Sequence, residues 1–248
     1  MSFSKKVYLT SIYLALLIIC NPAAADAADP RVFESGERQI LMLEMFSSQG
    51  CSSCPPAERW ISGLREDPRL WHELVPLVFH VDYWDDLGWK DPYSKLKYSQ
   101  RQRRYKLHGH SRAVYTPGFM ASGQEWRGWF QRRSLPPQSQ ENAGNLNVVL
   151  QGDAITARFV RNADSRGLRF NAAVLGFDVV TPVEAGENRG RKLKQNFLVL
   201  AHGEWSNDVG LWQVTLPETD FEGRRAVAFW VSSGMDPSPI QATGGWID

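Results

Sequence analysis

Apolar residues are distributed in two ways along the chain. Up to about residue 120 they form dense runs, Ile40-Leu41-Met42-Leu43-Glu44-Met45-Phe46 and Leu77-Val78-Phe79-His80-Val81 among them, each of strand length. The first run passes into the small polar loop Ser47-Ser48-Gln49-Gly50 and then into Cys51-Ser52-Ser53-Cys54-Pro55-Pro56. Ile61 and Leu64 follow on one face of a helix with proline near its start. A second helical pattern, Ser94 to His108, sets Leu96, Tyr98, Tyr105 and Leu107 among Lys95, Lys97, Arg101, Arg103, Arg104 and Lys106, with Gly109 as its stop.

Beyond Pro136-Pro137-Gln138-Ser139-Gln140 and Gly144, which read as a linker, the pattern changes. Short strand-like runs recur at Leu146 to Leu150, Ala154 to Val160, Leu168 to Val180, Phe197 to Ala201, Leu211 to Leu216, Ala226 to Val231 and Ile240 to Ile247. Ile155, Ala157 and Phe159 alternate as on a half-buried strand. No helical period interrupts them, which predicts an all-β, sandwich-like second domain over residues 145–248.

Residues 1–25 stand apart. Lys5 and Lys6 precede an apolar run from Val7 to Cys20, and Ala23, Ala24 and Ala25 follow, the order of a secretory signal peptide. The run falls short of the roughly 20 apolar residues that span a bilayer, so cleavage is expected and no stable membrane span remains. Ile19 stands where a lipoprotein signal would carry a small residue before Cys20. The chain of 248 residues is 43% hydrophobic with a formal net charge of +1, enough apolar material for a core and no global bias towards nucleic acid or membrane partners. The expected location is periplasmic or secreted.

Loss of Cys20 with the signal leaves Cys51 and Cys54, three positions apart. A bridge across so short a loop constrains the unfolded chain by only about 2 kcal/mol, against about 3 for fifteen residues. The pair is a poor staple. At a strand-to-helix junction, unpaired helical N–H groups and the helix dipole favour a thiolate, with thiol pKa values lowered from about 8.5 to about 3.5–7.5. Cys51 is then the nucleophile and Cys54 the resolving thiol. Ser52 and Ser53 supply hydroxyls that favour the reduced form modestly. Pro55 and Pro56 disturb the helix register and predict a start at Pro55.

The pair Cys51–Cys54 after the first strand, with Val114-Tyr115-Thr116-Pro117 before another apolar segment, resembles the thioredoxin superfamily. More narrowly, Glu44 to Pro56, His80-Val81-Asp82-Tyr83-Trp84-Asp85 with Gly88, Trp89 and Asp91, Tyr115 to Pro117, and Gly186-Glu187-Asn188-Arg189-Gly190-Arg191 resemble an exported bacterial thioredoxin-like family described only as a domain of unknown function. The resemblance implies an α/β thioredoxin-like domain with a helical insertion over residues 36–135, a cis Pro117, and Thr116 pairing with an extended substrate. It also implies a buried acid at Glu44 that moves protons, although a salt-bridged or edge-exposed Glu fits the position equally.

The inserted segment from Asp82 to about Ser111 begins with an aromatic and acidic loop, in which Trp84 and Trp89 are candidate walls of a substrate groove. The six cations that follow suit a solvated helix face or an acidic partner. Gly186 to Arg191 reads as a turn that can bind an anion or dock on the first domain. These features together predict an exported thiol–disulfide oxidoreductase without organic cofactor, whose partners are exported Cys-containing proteins and a redox partner that resets it. The alternatives are a copper- or zinc-handling protein using both cysteines and a nearby His, such as His108 or His110, and a binding module whose disulfide never cycles.

Overall fold

The computed structural model describes residues 29–163 and 166–247. The signal-peptide reading, and Cys20 with it, lies outside the described residues. The first half contributes strands β1 (Arg31–Glu34), β2 (Leu41–Ser47), β3 (Leu74–His80), β4 (Gly118–Ala121) and β5 (Gln124–Glu125). Helix α1 (Cys54–Ser62) follows β2 and helix α2 (Leu96–Leu107) follows β3. The second half contributes β6 (Asn145–Gln151), β7 (Ala154–Val160), β8 (Leu168–Gly176), β9 (Val179–Pro182), β10 (Lys192–Gln195), β11 (Leu198–Asn207), β12 (Leu211–Thr215), β13 (Arg225–Ser233) and β14 (Asp236–Trp246).

These strands overturn the expected architecture of an α/β thioredoxin-like domain followed by a sandwich-like domain. The described residues are mostly β, with 43% of them in strands and two short helices. One eight-stranded sheet runs in the order β14-β13-β8-β11-β3-β2-β4-β5, so strands from both halves share it. The join is a parallel pairing of β11 with β3 at Leu198 and Val78. Local apolar runs predict strands, but not which strand lies beside which, and here long-range pairing decided the layers. A second sheet, β1-β6-β7-β12, takes its first strand from before the dithiol and the rest from beyond the linker.

Both faces of the large sheet are covered, and successive side chains of a strand point to opposite faces. On β13, Val227, Phe229 and Val231 pack with Phe33, Leu146, Val148, Ile155 and Phe159 of the small sheet. Ala226, Ala228 and Trp230 instead join the cluster that contains Tyr98 and Tyr105 of α2. The same alternation on β3 sends Phe79 to Tyr98 of α2, while His80 faces Glu58 of α1. Helix α1 and the small sheet therefore cover one face, and α2 the other. All seven residues of β2 and of β3 are buried, which is why those strands read as near-continuous apolar runs. The expected insertion is thus no appendage, since α2 is the lid of the second face.

Helix α1 starts at Cys54, one residue earlier than expected, after Ser53 as its cap position. Pro55 and Pro56 sit in its first turn, where a missing N–H costs no intrahelical bond.

Candidate functional site

Cys51 and Cys54 are free, without accessible surface, at the end of β2 and the start of α1. Their Sγ atoms are 2.6 Å apart. Cys51 Sγ lies 3.2 Å from Ser53 Oγ and 3.9 Å from the Thr116 carbonyl oxygen. The hydrogen bond from Cys54, against the upward push of burial and with help from Ser53 and Thr116, draws the Cys51 thiol down to about 6. Cys54 moves the other way. Burial pushes its thiol up, and the neighbouring Cys51 and Glu58 charges push it further, with Ser47 opposing. The two sulfurs thus differ in acidity in the sense a nucleophile and a resolving thiol require.

Beneath the pair lies a buried line of polar groups. Glu58 stands one helical turn after Cys54 on α1, the spacing at which side chains are neighbours. The Ser47 hydroxyl donates to Glu58 Oε1 at 2.5 Å. His80 Nε2 sits 3.4 Å from that same oxygen and makes no hydrogen bond, while Nδ1 is 2.7 Å from Asp91 Oδ2. Asp91 in turn accepts the backbone N–H of Gln49, next to the dithiol loop, at 2.8 Å. Burial pushes the His80 imidazole down, but Asp91 and Glu58 outweigh it and raise it to about 10. Asp91 is held below the usual carboxylate range, the His80 charge overcoming its burial.

Three loops surround the thiols. The Thr116–Pro117 peptide bond is cis. Trp84 Nε1 donates to Thr116 Oγ1 at 2.8 Å, and Trp89 Nε1 donates to Gln49 Oε1 at 3.1 Å. Both tryptophans are half-buried against the dithiol region, with their indole N–H groups spent on internal bonds. The turn from Gly186 to Arg191 docks here. Buried Asn188 donates to the carbonyls of Gln49 and Cys51 at 2.8 and 3.0 Å, and Glu187 accepts the Ser52 N–H at 3.0 Å. Gly186 has φ +70°, and a Cβ there would stand 3.1 Å from that of Trp89, so this loop crossing requires glycine.

Glu44 is the sequence candidate that the structure removes from the dithiol. Because β2 alternates, Glu44 points to the α2 face, opposite Ser47. There Arg101 Nε and Nη2 donate to its carboxylate at 2.6 and 3.0 Å, and the Tyr105 hydroxyl also donates to it. It is a fully paired structural acid, one of the two alternatives its position left open. Arg101 is likewise no surface cation, being buried between Glu44 and the aromatic rings of Phe79, Tyr105 and Trp230. The histidine pair is elsewhere too. His110 bonds Asp236 and Gln124, and no group of three His, Cys, Asp or Glu side chains among the described residues could hold a metal ion.

Sequence reasoning missed Glu58 and the role of His80, whereas the docking of the turn from Gly186 to Arg191 was one of its two readings, with Asn188 as the residue that makes the contact. The signal for Glu58 was its four-residue spacing from Cys54. His80 comes beside the site because the parallel register sets it opposite Ser47, and no local pattern announces that.

The sequence profile of the family described as "Protein of unknown function (DUF1223)" matches residues 42–232. A crystal structure of a protein from Agrobacterium tumefaciens is similar with a TM-score of 0.55 and 22% identity, covering 84% of this chain and 93% of that one. HBP35 of Porphyromonas gingivalis is similar with a TM-score of 0.53 and 14% identity, covering 85% and 76%. Both likenesses speak for the fold alone. No curated protein matches the chain.

Proposed function

The chain belongs to DUF1223, a family of unknown function, and from the geometry of its dithiol we propose that it is an exported thiol–disulfide oxidoreductase acting on Cys-containing proteins. The observation that carries the reading is the contrast between adjacent thiols, Cys51 drawn down to about 6 and Cys54 pushed up, 2.6 Å apart. A structural pair has no use for such a difference. The periplasm or the exterior is the location that suits this chemistry and the amino-terminal sequence.

In the forward direction the Cys51 thiolate attacks one sulfur of a substrate disulfide. A Cys51–substrate bond forms, the substrate S–S bond breaks, and the departing sulfur leaves with the electron pair and takes a proton. The Cys54 thiol then gives its proton towards Glu58, through the Ser47 hydroxyl that donates to that carboxylate. Cys54 attacks Cys51 Sγ, the intramolecular bond forms, and the second substrate sulfur departs as a thiolate that is protonated in turn. The substrate has gained two electrons and the dithiol has lost two. The same steps run backwards to oxidise a substrate dithiol, and a thiol or disulfide of a redox partner resets the protein. Thr116 is suited to pair with an extended substrate because its carbonyl lies beside the attacking sulfur. Cys51 has no accessible surface, so one of the surrounding loops moves when a substrate enters.

The test is reaction of the reduced protein with 2,2′-dithiodipyridine. The expected course is release of one thione with a pH midpoint near 6, then of a second as Cys54 closes the bridge. Cys54→Ser should stop after the first release. A first step with a midpoint above about 8.5, the ordinary thiol value, would remove the basis for the proposal.

A further inference from the structure

We propose that the cleft beside the Thr116–Pro117 loop docks an acidic segment of the substrate polypeptide. This rests on the oxidoreductase reading and names the partner class of that same site. The contacts run outward from the thiol without a break. The Thr116 carbonyl lies 3.9 Å from Cys51 Sγ, and the preceding residue, half-buried Tyr115, donates its hydroxyl to Glu125 Oε1 at 2.7 Å. The Arg127 guanidinium lies 5.7 Å from the Tyr115 ring centre and 5.6 Å from that of Phe130, which is 44% exposed. Past these rings opens a cleft of 440 Å³ whose lining includes Arg112, Glu125, Trp126, Arg127 and Arg133.

The charges in this cleft do not balance. Glu125 is its single carboxylate, and that group is already engaged. It accepts the Arg112 backbone N–H at 3.1 Å and the Tyr115 hydroxyl, and stands 3.6 Å from Arg127 Nη1. Against the upward push of its partial burial, these contacts hold it below the usual carboxylate range. Arg112 and Arg133 are both exposed, and their guanidinium groups bond to no side chain among the described residues. Three guanidinium groups, Arg112, Arg127 and Arg133, thus face one engaged carboxylate, and the excess positive charge in this concavity suits bidentate carboxylate recognition. The backbone is shaped to bring them there. Arg132 takes φ 53°, the left-handed region an L-residue enters at a cost, and the Arg133 N–H returns to the Gly128 carbonyl at 2.9 Å.

A polypeptide that reaches Cys51 past the Thr116 loop therefore meets a cleft of positive polarity. That polarity selects an acidic segment, rather than a basic one, for the cleft.

The test uses the full chain and two extended peptides, each with one Cys capped as a 2-thiopyridyl disulfide and flanked on both sides by two glutamates or by two lysines. At low ionic strength the reduced protein should react about tenfold faster with the acidic peptide, a preference that fades with salt. Arg112→Glu combined with Arg133→Glu, both on the surface, should reverse the preference. Equal rates for the two peptides, or a preference untouched by the double substitution, would overturn the cleft. The neutral reagent separates this from the parent reading, which fails if dithiodipyridine gives no two-step release. Even then, anisotropy of a labelled acidic peptide with Ser in place of Cys reports on the cleft. Binding weakened by the double substitution supports it, and binding that is absent or unaltered refutes it.

Discussion

Two buried ionised arrays sit on opposite faces of the same sheet, and they are built differently. On the α2 face Glu44 meets Arg101 in a two-pronged ion pair closed further by Tyr105 and the Pro237 carbonyl, so each charge is matched. On the α1 face Glu58 receives one hydroxyl and has a His80 nitrogen at 3.4 Å that makes no hydrogen bond. The histidines of the two faces differ in the same way. His80, between two acids, is raised to about 10, whereas burial and the Arg101 charge press His202 down to about 3. A fully matched charge has nothing left to exchange and holds the fold. In the proposed mechanism it is the incompletely matched one, beside the thiol, that receives the proton.

The comparison breaks most visibly at Arg101. Arg101→Met leaves Glu44 buried without its cation and should cost about 3–5 kcal/mol in urea unfolding. The Cys51 alkylation rate of the folded fraction should not change. If that rate falls as well, the two faces are coupled and the division of roles is wrong. Next is Glu58→Gln, expected to slow the second thione release on the order of a hundredfold near neutral pH and to spare the first. If Glu58 acted only as a charge that raises Cys54, the same substitution would lower that thiol and speed the second step. The two directions are opposite, so stopped-flow kinetics decide between them.

The histidines sharpen the contrast through pH. The folded value of His80 lies above the unfolded 6.5, so its contribution to stability is complete below about 6.5 and is lost as pH rises towards 10. For His202 the folded value is depressed, so its contribution is complete above about 6.5 and is lost as pH falls towards 3. Imidazole NMR should accordingly show His80 charged and His202 neutral throughout pH 5 to 8, and a midpoint near 6.5 for either ring would contradict the assignment. The smallest effect is expected at Trp84→Phe. It removes the N–H to Thr116 Oγ1 and should cost about 1 kcal/mol in thermal or urea unfolding, with a shift in Cys51 reactivity if the Thr116 loop loosens.

Strands and helices were largely legible, because each is announced by its own spacing of apolar positions. Layering was not. The run Leu198 to Ala201 looks like any other second-half strand, yet it pairs with β3 and binds the two halves into one sheet. The site divides along the same line. Cys51, Cys54, Thr116 and Pro117, which the structure brings together, each stand in a short motif legible from its own neighbours. Glu44 was misplaced because its strand neighbours say that it is buried but not which face it takes or what waits there.

By itself the sequence determined the dithiol at a strand-to-helix junction, the proline loop, and the alternation that makes strands of the second half. These depend on residues within a few positions of one another, where backbone geometry leaves few choices. Tertiary structure alone decided that both halves share one sheet, that Asn188 closes on the carbonyls of Gln49 and Cys51, and that Glu58, with His80 beyond it, rather than Glu44 stands beside Cys54. Those outcomes depend on strand register and on charges brought together from distant parts of the chain, and the energy of such a pairing is a property of the partners, which no single segment contains.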